Sequence, residues 1–158
     1  PRVRGVTTTV RDATPDDARP LVRIREVMIL STWVEQPSST WQEPATEELR
    51  RQLESGSMIG VLAEVDGEVA SGALARVWQQ LPGPDDDGSR AWIFSVATEE
   101  PMRRRGLARA VVSRMVERID ALGVARIDLT ASPEGGPLYE SLGFAVAETP
   151  LMRRRHRA

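Results

Sequence analysis

Apolar and polar positions change their spacing several times along the chain, and each spacing predicts a different element. Two apolar, β-prone runs between Met58 and Trp78 flank Asp66-Gly67, a dipeptide favoured in tight turns, and therefore predict a β-hairpin. The run Ala91–Thr98 is almost continuously apolar, which is typical of a strand buried on both faces. Apolar residues then recur at helical spacing from about Arg104 to Leu122 and predict an amphipathic helix.

Weaker patterns predict the elements on either side of this central region. Val6–Arg11 is rich in threonine and valine and predicts the first strand. Thr14, followed by a proline and two aspartates, predicts the N-terminus of the first helix. The remaining patterns predict helices at 46–56 and 135–143 and strands at 125–131 and 144–151.

The resulting order is β-α-α-β-β-β-α-β-α-β, which indicates one α/β domain with a mixed sheet over residues 1–158. Residues 153–158 form a basic tail in this interpretation. Trp78 and Trp92 fall within predicted strands, so we expect them in the core. The acidic, turn-rich segment 79–90 is expected to be a solvated loop, with attraction of a cationic acceptor as the alternative.

The composition excludes several kinds of catalytic site. There is no cysteine, which rules out disulfides, thiolate metal ligands and a cysteine nucleophile. All 21 basic residues are arginine, so a Schiff-base lysine and the lysine of a P-loop are also absent. The single histidine, His156, argues against a Ser-His-Asp triad and a multi-histidine metal site, and we predict no metal. An enzyme of this composition takes its acid and base groups from Asp, Glu, Tyr, solvent or the substrate.

Charge and hydropathy narrow the range of partners. The net charge of -2 argues against a dedicated nucleic-acid-binding protein, which normally has a strong basic excess. No apolar run approaches the roughly 20 residues that cross a bilayer, and the first residues lack the apolar core of a signal peptide. We therefore expect a cytoplasmic protein with no nucleic-acid or membrane partner.

The stretch RRRGLARA, which begins at Arg103, has the properties of an anion site. The start of a helix leaves about four backbone N–H groups unpaired and carries partial positive charge. Gly106 lets the backbone approach a ligand, and arginines pair with phosphates in fork geometry. A Walker loop would need lysine and a Rossmann loop a different glycine spacing. The pattern predicts a phosphate-bearing ligand, with a solvated basic face as the alternative.

Three short segments resemble one known family. Arg103-x-x-Gly106-x-Ala108 resembles the Q/R-x-x-G-x-G/A signature with which the GCN5-related N-acetyltransferases (GNATs) bind the pyrophosphate of coenzyme A. LYESLGF at 138–144 resembles the second signature of that superfamily, and RDATPDDA at 11–18 resembles its usual opening. The predicted element order is similar to theirs over essentially the whole chain. The resemblance implies a GNAT-like acyl-CoA N-acyltransferase fold.

The resemblance also implies roles for individual residues. Tyr139 occupies the position of a tyrosine that protonates the departing thiolate, with simple packing as the alternative, and Ser132 stands where many relatives have an asparagine bonded to pantetheine. Trp33 and Trp41 lie in the region that often lines the acceptor pocket, with core packing as the alternative. The residues implied to bind coenzyme A are Val96, Ala97 and Thr98 along the pantetheine, and Arg103, Arg104, Arg105, Gly106, Leu107, Ala108 and Arg109 around the pyrophosphate.

The implied reaction is transfer of an acetyl group from acetyl-CoA to a primary amine by direct attack in a ternary complex. Glu99, Asp128, Glu134 and a chain of water molecules are the candidates for the base. The resemblance leaves open the acceptor, a small molecule or a peptide, and a homodimer. Two other functions stay open: a non-catalytic module or sensor that binds acyl-CoA, and an RNA-associated protein.

Overall fold

A five-stranded mixed sheet, with its strands in sequential order, forms the centre of the fold. The computed structural model describes residues 5–32 and 38–156. Each of the first three strand pairs is antiparallel, and the fourth and fifth strands are parallel. The strands are β1 (Thr8–Asp12), β2 (Met58–Val65), β3 (Glu68–Gln79), β4 (Ser89–Thr98) and β5 (Arg126–Leu129).

Two helices precede the β2–β3 hairpin, and two follow β4. The turn before the first helix is closed by Thr14, whose backbone N–H donates to Asp17 Oδ2 at 2.7 Å. Asp17 also accepts from Arg11 at 2.8 Å, and so it ties β1 to this turn. The helices are α1 (Ala18–Thr32), α2 (Gln42–Ser55), α3 (Leu107–Ala121) and α4 (Gly136–Ser141).

Helices cover both faces of the sheet, so that the core has two layers. On one face, α3 buries Val111, Met115 and Ile119 against alternate residues of the central strands. On the other face, α1 and α2 bury Leu21 and Leu49 against the sheet. The two layers are the reason that consecutive residues of a central strand, such as Val61, Leu62 and Ala63, are all apolar and buried.

Glycine in the sheet lets α1 approach the strands closely. A Cβ atom on Gly72 would lie 2.9 Å from Cδ2 of Leu21, and one on Gly60 would lie 3.1 Å from Cδ1 of the same leucine. Both distances are shorter than an ordinary carbon–carbon contact. The position of α1 over β2 and β3 therefore depends on the absence of side chains at these two residues.

An ion-pair cluster fixes α3 to the edge of the sheet. Asp12, at the end of β1, accepts from Arg114 at 3.0 Å and is also bonded by Arg118. These two hydrogen bonds lower the pKa of the Asp12 carboxyl against the opposing effect of its burial. The cluster joins residues from opposite ends of the sequence and is only partly shielded from water.

β4 is irregular near its end, and it separates there from β5. Gly72 pairs with Ala97 and Leu74 with Phe94, so β4 has one residue more than β3 in this interval. Ser95 lies in this bulge with a φ of 53°. Pairing of β4 with β5 ends at Ile93, which leaves the β5-facing edge of 94–98 without a neighbouring strand.

The strand that the sequence predicts at 144–151 is wrong, because that segment has no regular structure. Residues 144–147 run past β5 across a cavity of about 280 Å³, and the backbones do not pair. Phe144 packs against the core, but Val146, two residues later, is 92 % exposed, so the alternation of apolar residues does not continue along a buried face. The helix predicted from Arg104 begins instead at Leu107, since Arg104 and Gly106 both have positive φ.

Candidate active site

A cleft of about 450 Å³ opens where β4 separates from β5. Its walls are the end of β4, the loop that leads to α3, the first turn of α3 and the segment before α4. Residues far apart in the sequence meet in it. Of the residues predicted for the site, the cleft is lined by Val96, Ala97, Thr98, Arg103, Arg104, Gly106, Leu107, Ala108, Arg109, Ser132 and Tyr139.

Hydrogen bonds from the β3 side hold the end of β4 in place. The Ser71 hydroxyl donates to the carbonyl of Ala97 at 2.9 Å and is hydrogen-bonded to the Thr98 hydroxyl at 2.8 Å. Among the described residues no strand pairs with the opposite edge after Ile93, and residues 96–98 line the cleft there. Such an edge can bond an extended ligand that carries amide groups, as an additional strand would.

The N-terminus of α3 forms the opposite wall. Gly106 is the N-cap residue, with a φ of 76°, and no side chain caps the helix. The first backbone N–H of this helix with a protein acceptor is that of Ala110, which donates to Gly106 at 3.0 Å. The N–H groups of residues 107–109 have no acceptor within the described ranges 5–32 and 38–156. A 15-residue helix with a free N-terminus attracts an anion.

The arginines around this turn add positive charge that no carboxylate neutralises. Within residues 5–32 and 38–156, residues 103–105 and Arg109 form no ion pair. Arg109 donates to the Ser141 hydroxyl at 2.6 Å and so joins α3 to α4. Arg105 does not line the cleft, and its guanidinium contacts the sulfur of Met102 at 3.0 Å.

Tyr139 lies between the cleft and the 280 Å³ cavity beside β5. Its half-buried ring packs edge-on against Phe144, with the ring centroids 6.0 Å apart and an interplanar angle of 74°. Burial raises the pKa of its hydroxyl above the ordinary value of 10.0, because the phenolate loses hydration. At neutral pH Tyr139 therefore keeps its proton, and it can act as a proton donor at the cleft.

Ser132 forms the turn that leads into α4. Its hydroxyl oxygen accepts from the N–H of Gly135 at 3.1 Å, and it keeps its own proton for donation to a ligand. A Cβ on Gly135 would lie 3.2 Å from Cε2 of Tyr139 and 3.3 Å from Oγ of Ser132. Glycine at this position thus lets the tyrosine ring pack on the serine turn.

The three carboxylates predicted as possible bases lie in different places. Glu134 lines the cleft. Glu99 is ion-paired with Arg23 at 2.8 Å, and Asp128 lines the smaller cavity on the other side of Tyr139. Glu134 is therefore the one of these three that shares the cleft with Tyr139.

The four tryptophans have different outcomes, and core packing was the stated alternative for Trp41. Trp33 lies outside the described residues, whereas Trp41 packs against the core between α1 and α2 and lines none of the cavities described above. Trp78 and Trp92, expected in the core, are only half-buried. They line a second groove, because α1 covers this face of the sheet only partly. Arg76 lies beside them on β3, and this charged residue within the strand is the feature of the sequence that indicates an exposed surface.

The acidic loop at 79–90, metal-ligand clusters and membrane-spanning helices were the other features considered from the sequence. In the acidic loop, Asp86 pairs with Arg90 at 3.0 Å, and Asp87 accepts from the Ser89 hydroxyl at 2.6 Å. Within residues 5–32 and 38–156, no three His, Asp or Glu side chains are grouped as metal ligands. No helix in the described part of the chain is long and apolar enough to cross a membrane.

Sequence comparison finds the same family that the motifs resemble. The model of the acetyltransferase (GNAT) family matches residues 27–144. An acetyltransferase of Pectobacterium atrosepticum is 23% identical over 118 residues, which are 73% of this chain and 77% of the relative. An acetyltransferase of Sodalis glossinidius is 24% identical over 115 residues, or 71% of this chain and 74% of the relative.

Solved structures share the fold. A predicted acetyltransferase with acetyl-CoA from Clostridium acetobutylicum has a TM-score of 0.83 at 23% identity, covering 94% of this chain and 96% of its own. A GCN5-related N-acetyltransferase from Ralstonia eutropha has a TM-score of 0.82 at 24% identity, covering 94% of this chain and 99% of its own. With the family model matching most of its length, this chain belongs to the GNAT family of acetyltransferases.

Proposed function

We propose that this protein transfers an acetyl group from acetyl-CoA to a primary amine. The observation that carries the proposal is the cleft itself, in which an unpaired strand edge faces an uncapped helix N-terminus. An acyl-CoA has an amide-containing arm that suits the strand edge and a pyrophosphate that suits the helix. The Clostridium relative with acetyl-CoA favours the acetyl form of the donor.

In this proposal the backbone of Val96, Ala97 and Thr98 binds the pantetheine arm. The N–H groups of residues 106–109 bind the pyrophosphate, and the arginines of the loop neutralise its charge. The Ser132 hydroxyl, whose proton is unused, donates to the arm. Arg105 is the weakest member of the predicted set, since its side chain lies outside the cleft.

The chemistry is acyl transfer without a covalent enzyme intermediate. The amine nitrogen forms a bond to the carbonyl carbon of the thioester while the carbon–sulfur bond breaks. A backbone N–H at the β4 bulge stabilises the negative charge that develops on the carbonyl oxygen. Tyr139 gives its proton to the leaving thiolate, and the proton lost by the amine passes to Glu134 or to water.

Calorimetric titration with acetyl-CoA tests the donor site. Gly106→Glu places a carboxylate in the open space before α3, where the pyrophosphate would lie. Gly123→Glu is a matched control, because Gly123 follows the same helix, has a φ of 71° and also has open space around it. We expect micromolar binding that Gly106→Glu abolishes and Gly123→Glu preserves.

The same titration has two contrary outcomes. Absence of acetyl-CoA binding by the unaltered chain would mean that the loop is only a basic helix start. Equal loss of binding in both variants would point to general destabilisation. If acetyl-CoA binds normally but no amine is acetylated in a broad acceptor screen, the protein is a binding module and the transfer reaction is refuted.

A further inference from the structure

The groove beside the active-site cleft has the features of a second ligand site. It has a volume of about 650 Å³ and lies on the face of the sheet that α1 covers in part. Phe94 lines this groove, and Val96 lines the cleft two residues later on the same strand. At about 3.3 Å per residue, the two openings are no more than about 7 Å apart along β4. The groove is lined by Arg25, Arg76, Trp78, Trp92 and Phe94.

The groove contains two arginines without a carboxylate partner. Arg25, from α1, donates to the Ser95 hydroxyl at 2.6 Å, and its guanidinium lies 5.8 Å from the centroid of the Phe94 ring. Neither Arg25 nor Arg76 forms an ion pair within the described residues 5–32 and 38–156. Arg25 is half-buried, so its charge has lost part of its hydration without gaining a counter-charge from the part of the chain that the structure describes.

The aromatic residues are arranged by the register of β3 and β4. Arg76 pairs with Trp92, and Leu74 pairs with Phe94, so these side chains share one face of the sheet in successive rows. Trp78 lies two residues beyond Arg76 on that face. The two indole rings are only half-buried and so leave aromatic surface available to an apolar or planar group.

We propose that this groove binds the amine acceptor, and that the acceptor carries an anionic group together with an apolar or aromatic group. The inference rests on the proposed function, since it names the substrate class of the same reaction. The anion, a carboxylate or a phosphate-like group, binds Arg25 and Arg76, and the apolar group lies on the indoles. Arg25 is bonded to Ser95, which directly precedes Val96 of the cleft. In the bound acceptor, the anionic group is therefore separated by only a few bonds from the amine that reacts.

The test compares two anionic ligands with an uncharged one that shares the same aromatic group. N-acetylphenylalanine, its phosphonate analogue and its uncharged amide are titrated into the protein with coenzyme A present, and tryptophan fluorescence is recorded. We expect at least one anion to bind about tenfold more tightly than the amide, the size of a lost charge-assisted hydrogen bond. Which of the two anions binds better identifies the anionic group.

Variants locate the binding. Arg76→Gln should reduce the preference for the anion over the amide from about tenfold to threefold or less. Arg76→Lys, which keeps a positive charge, should retain part of that preference. Arg76 is exposed, and among residues 5–32 and 38–156 its side chain has no hydrogen bond or ion pair to lose, so the fold should not be weakened. Arg50→Gln is the control, since Arg50 is an exposed arginine of α2 outside the groove. In acetyl transfer to phenylalanine, Arg76→Gln should raise KM and leave kcat unchanged.

Three results would overturn the inference. If the anions and the amide bind equally, or Arg76→Gln and Arg50→Gln act alike, the groove does not select an anionic acceptor. If none of the ligands binds although the protein binds acetyl-CoA in a separate titration, the groove proposal fails and the proposed function stands. Failure of acetyl-CoA to bind in that separate titration would instead refute the proposed function, and with it the role of any groove ligand as acceptor.

Discussion

The carbonyl of Thr98, the last residue of β4, accepts a hydrogen bond from Nε of Arg103 at 3.2 Å. This contact spans the turn between the end of the strand and the loop before the helix. We therefore expect Arg103 to order this turn in addition to supplying charge.

Arg103→Ala should weaken acetyl-CoA binding about tenfold, since it removes a charged contact and leaves the turn to be ordered on binding. Arg105→Ala is the matched control, because it removes the same charge from a side chain outside the cleft. Calorimetry of both variants measures the difference. Equal weakening would show that only the total charge of the loop matters.

Tyr139→Phe should lower kcat by about a hundredfold or more, which is the usual contribution of a general acid. The ring can still pack against Phe144, so acetyl-CoA affinity should stay the same. Because burial raises the pKa of this hydroxyl above 10.0, the wild-type rate should fall only as the pH rises through that higher value. Steady-state rates measured across the alkaline range should show this fall in the wild type, and the fall should be absent in Tyr139→Phe. An unchanged kcat would remove Tyr139 from the reaction.

Asp12→Asn should reduce the free energy of unfolding at pH 7 by about 1 kcal/mol, a value suited to ion pairs that water partly screens. The pKa of Asp12 is below its ordinary value of 3.8 in the folded state, so its stabilisation is complete above that value. The stabilisation is lost as the pH falls through the folded-state pKa. In urea unfolding at decreasing pH, the free energies of unfolding of the wild type and Asp12→Asn should converge. Asp120→Asn, at an exposed residue, is the control. A difference that does not change with pH would contradict the ion-pair explanation.

Gly72→Ala should destabilise the fold by roughly 1–3 kcal/mol, since the added methyl group would lie 2.9 Å from Cδ2 of the buried Leu21 and force that side chain to shift where α1 packs on the sheet. Gly83→Ala, in a loop with open space around the residue, should be close to neutral. Thermal unfolding of the two variants tests the contrast. Similar midpoints would mean that α1 adjusts freely.

Local patterns were sufficient to predict most of the fold. The hairpin follows from Asp66-Gly67, which adopt φ values of 52° and 86°, as a tight primed turn requires. The prediction of a strand at 144–151 is wrong, because a strand needs a neighbouring strand to pair with and no strand of the described residues pairs with this segment. A pattern of alternating residues contains no information about whether an edge lies within reach.

The cleft and the groove differ in the same respect. The wall of the cleft at the start of α3 is built by a short motif around Gly106, so the sequence was enough to predict that its residues lie together. The groove depends on how far α1 extends over the sheet, which no window of sequence around Trp78 or Trp92 specifies. Tertiary packing decides whether an indole within a strand is covered or exposed.

The bulge at Ser95 has a consequence for how this family member can change during evolution. Side chains alternate across a strand, and one extra residue inverts that alternation for everything that follows it. Deletion of Ser95 would exchange inward and outward directions for residues 96–98 and leave the preceding strand intact. We therefore expect insertions and deletions in β4 to be more damaging than substitutions. If the groove selects the acceptor as we propose, variation in acceptor preference should accumulate by replacement of side chains before the bulge, at constant strand length.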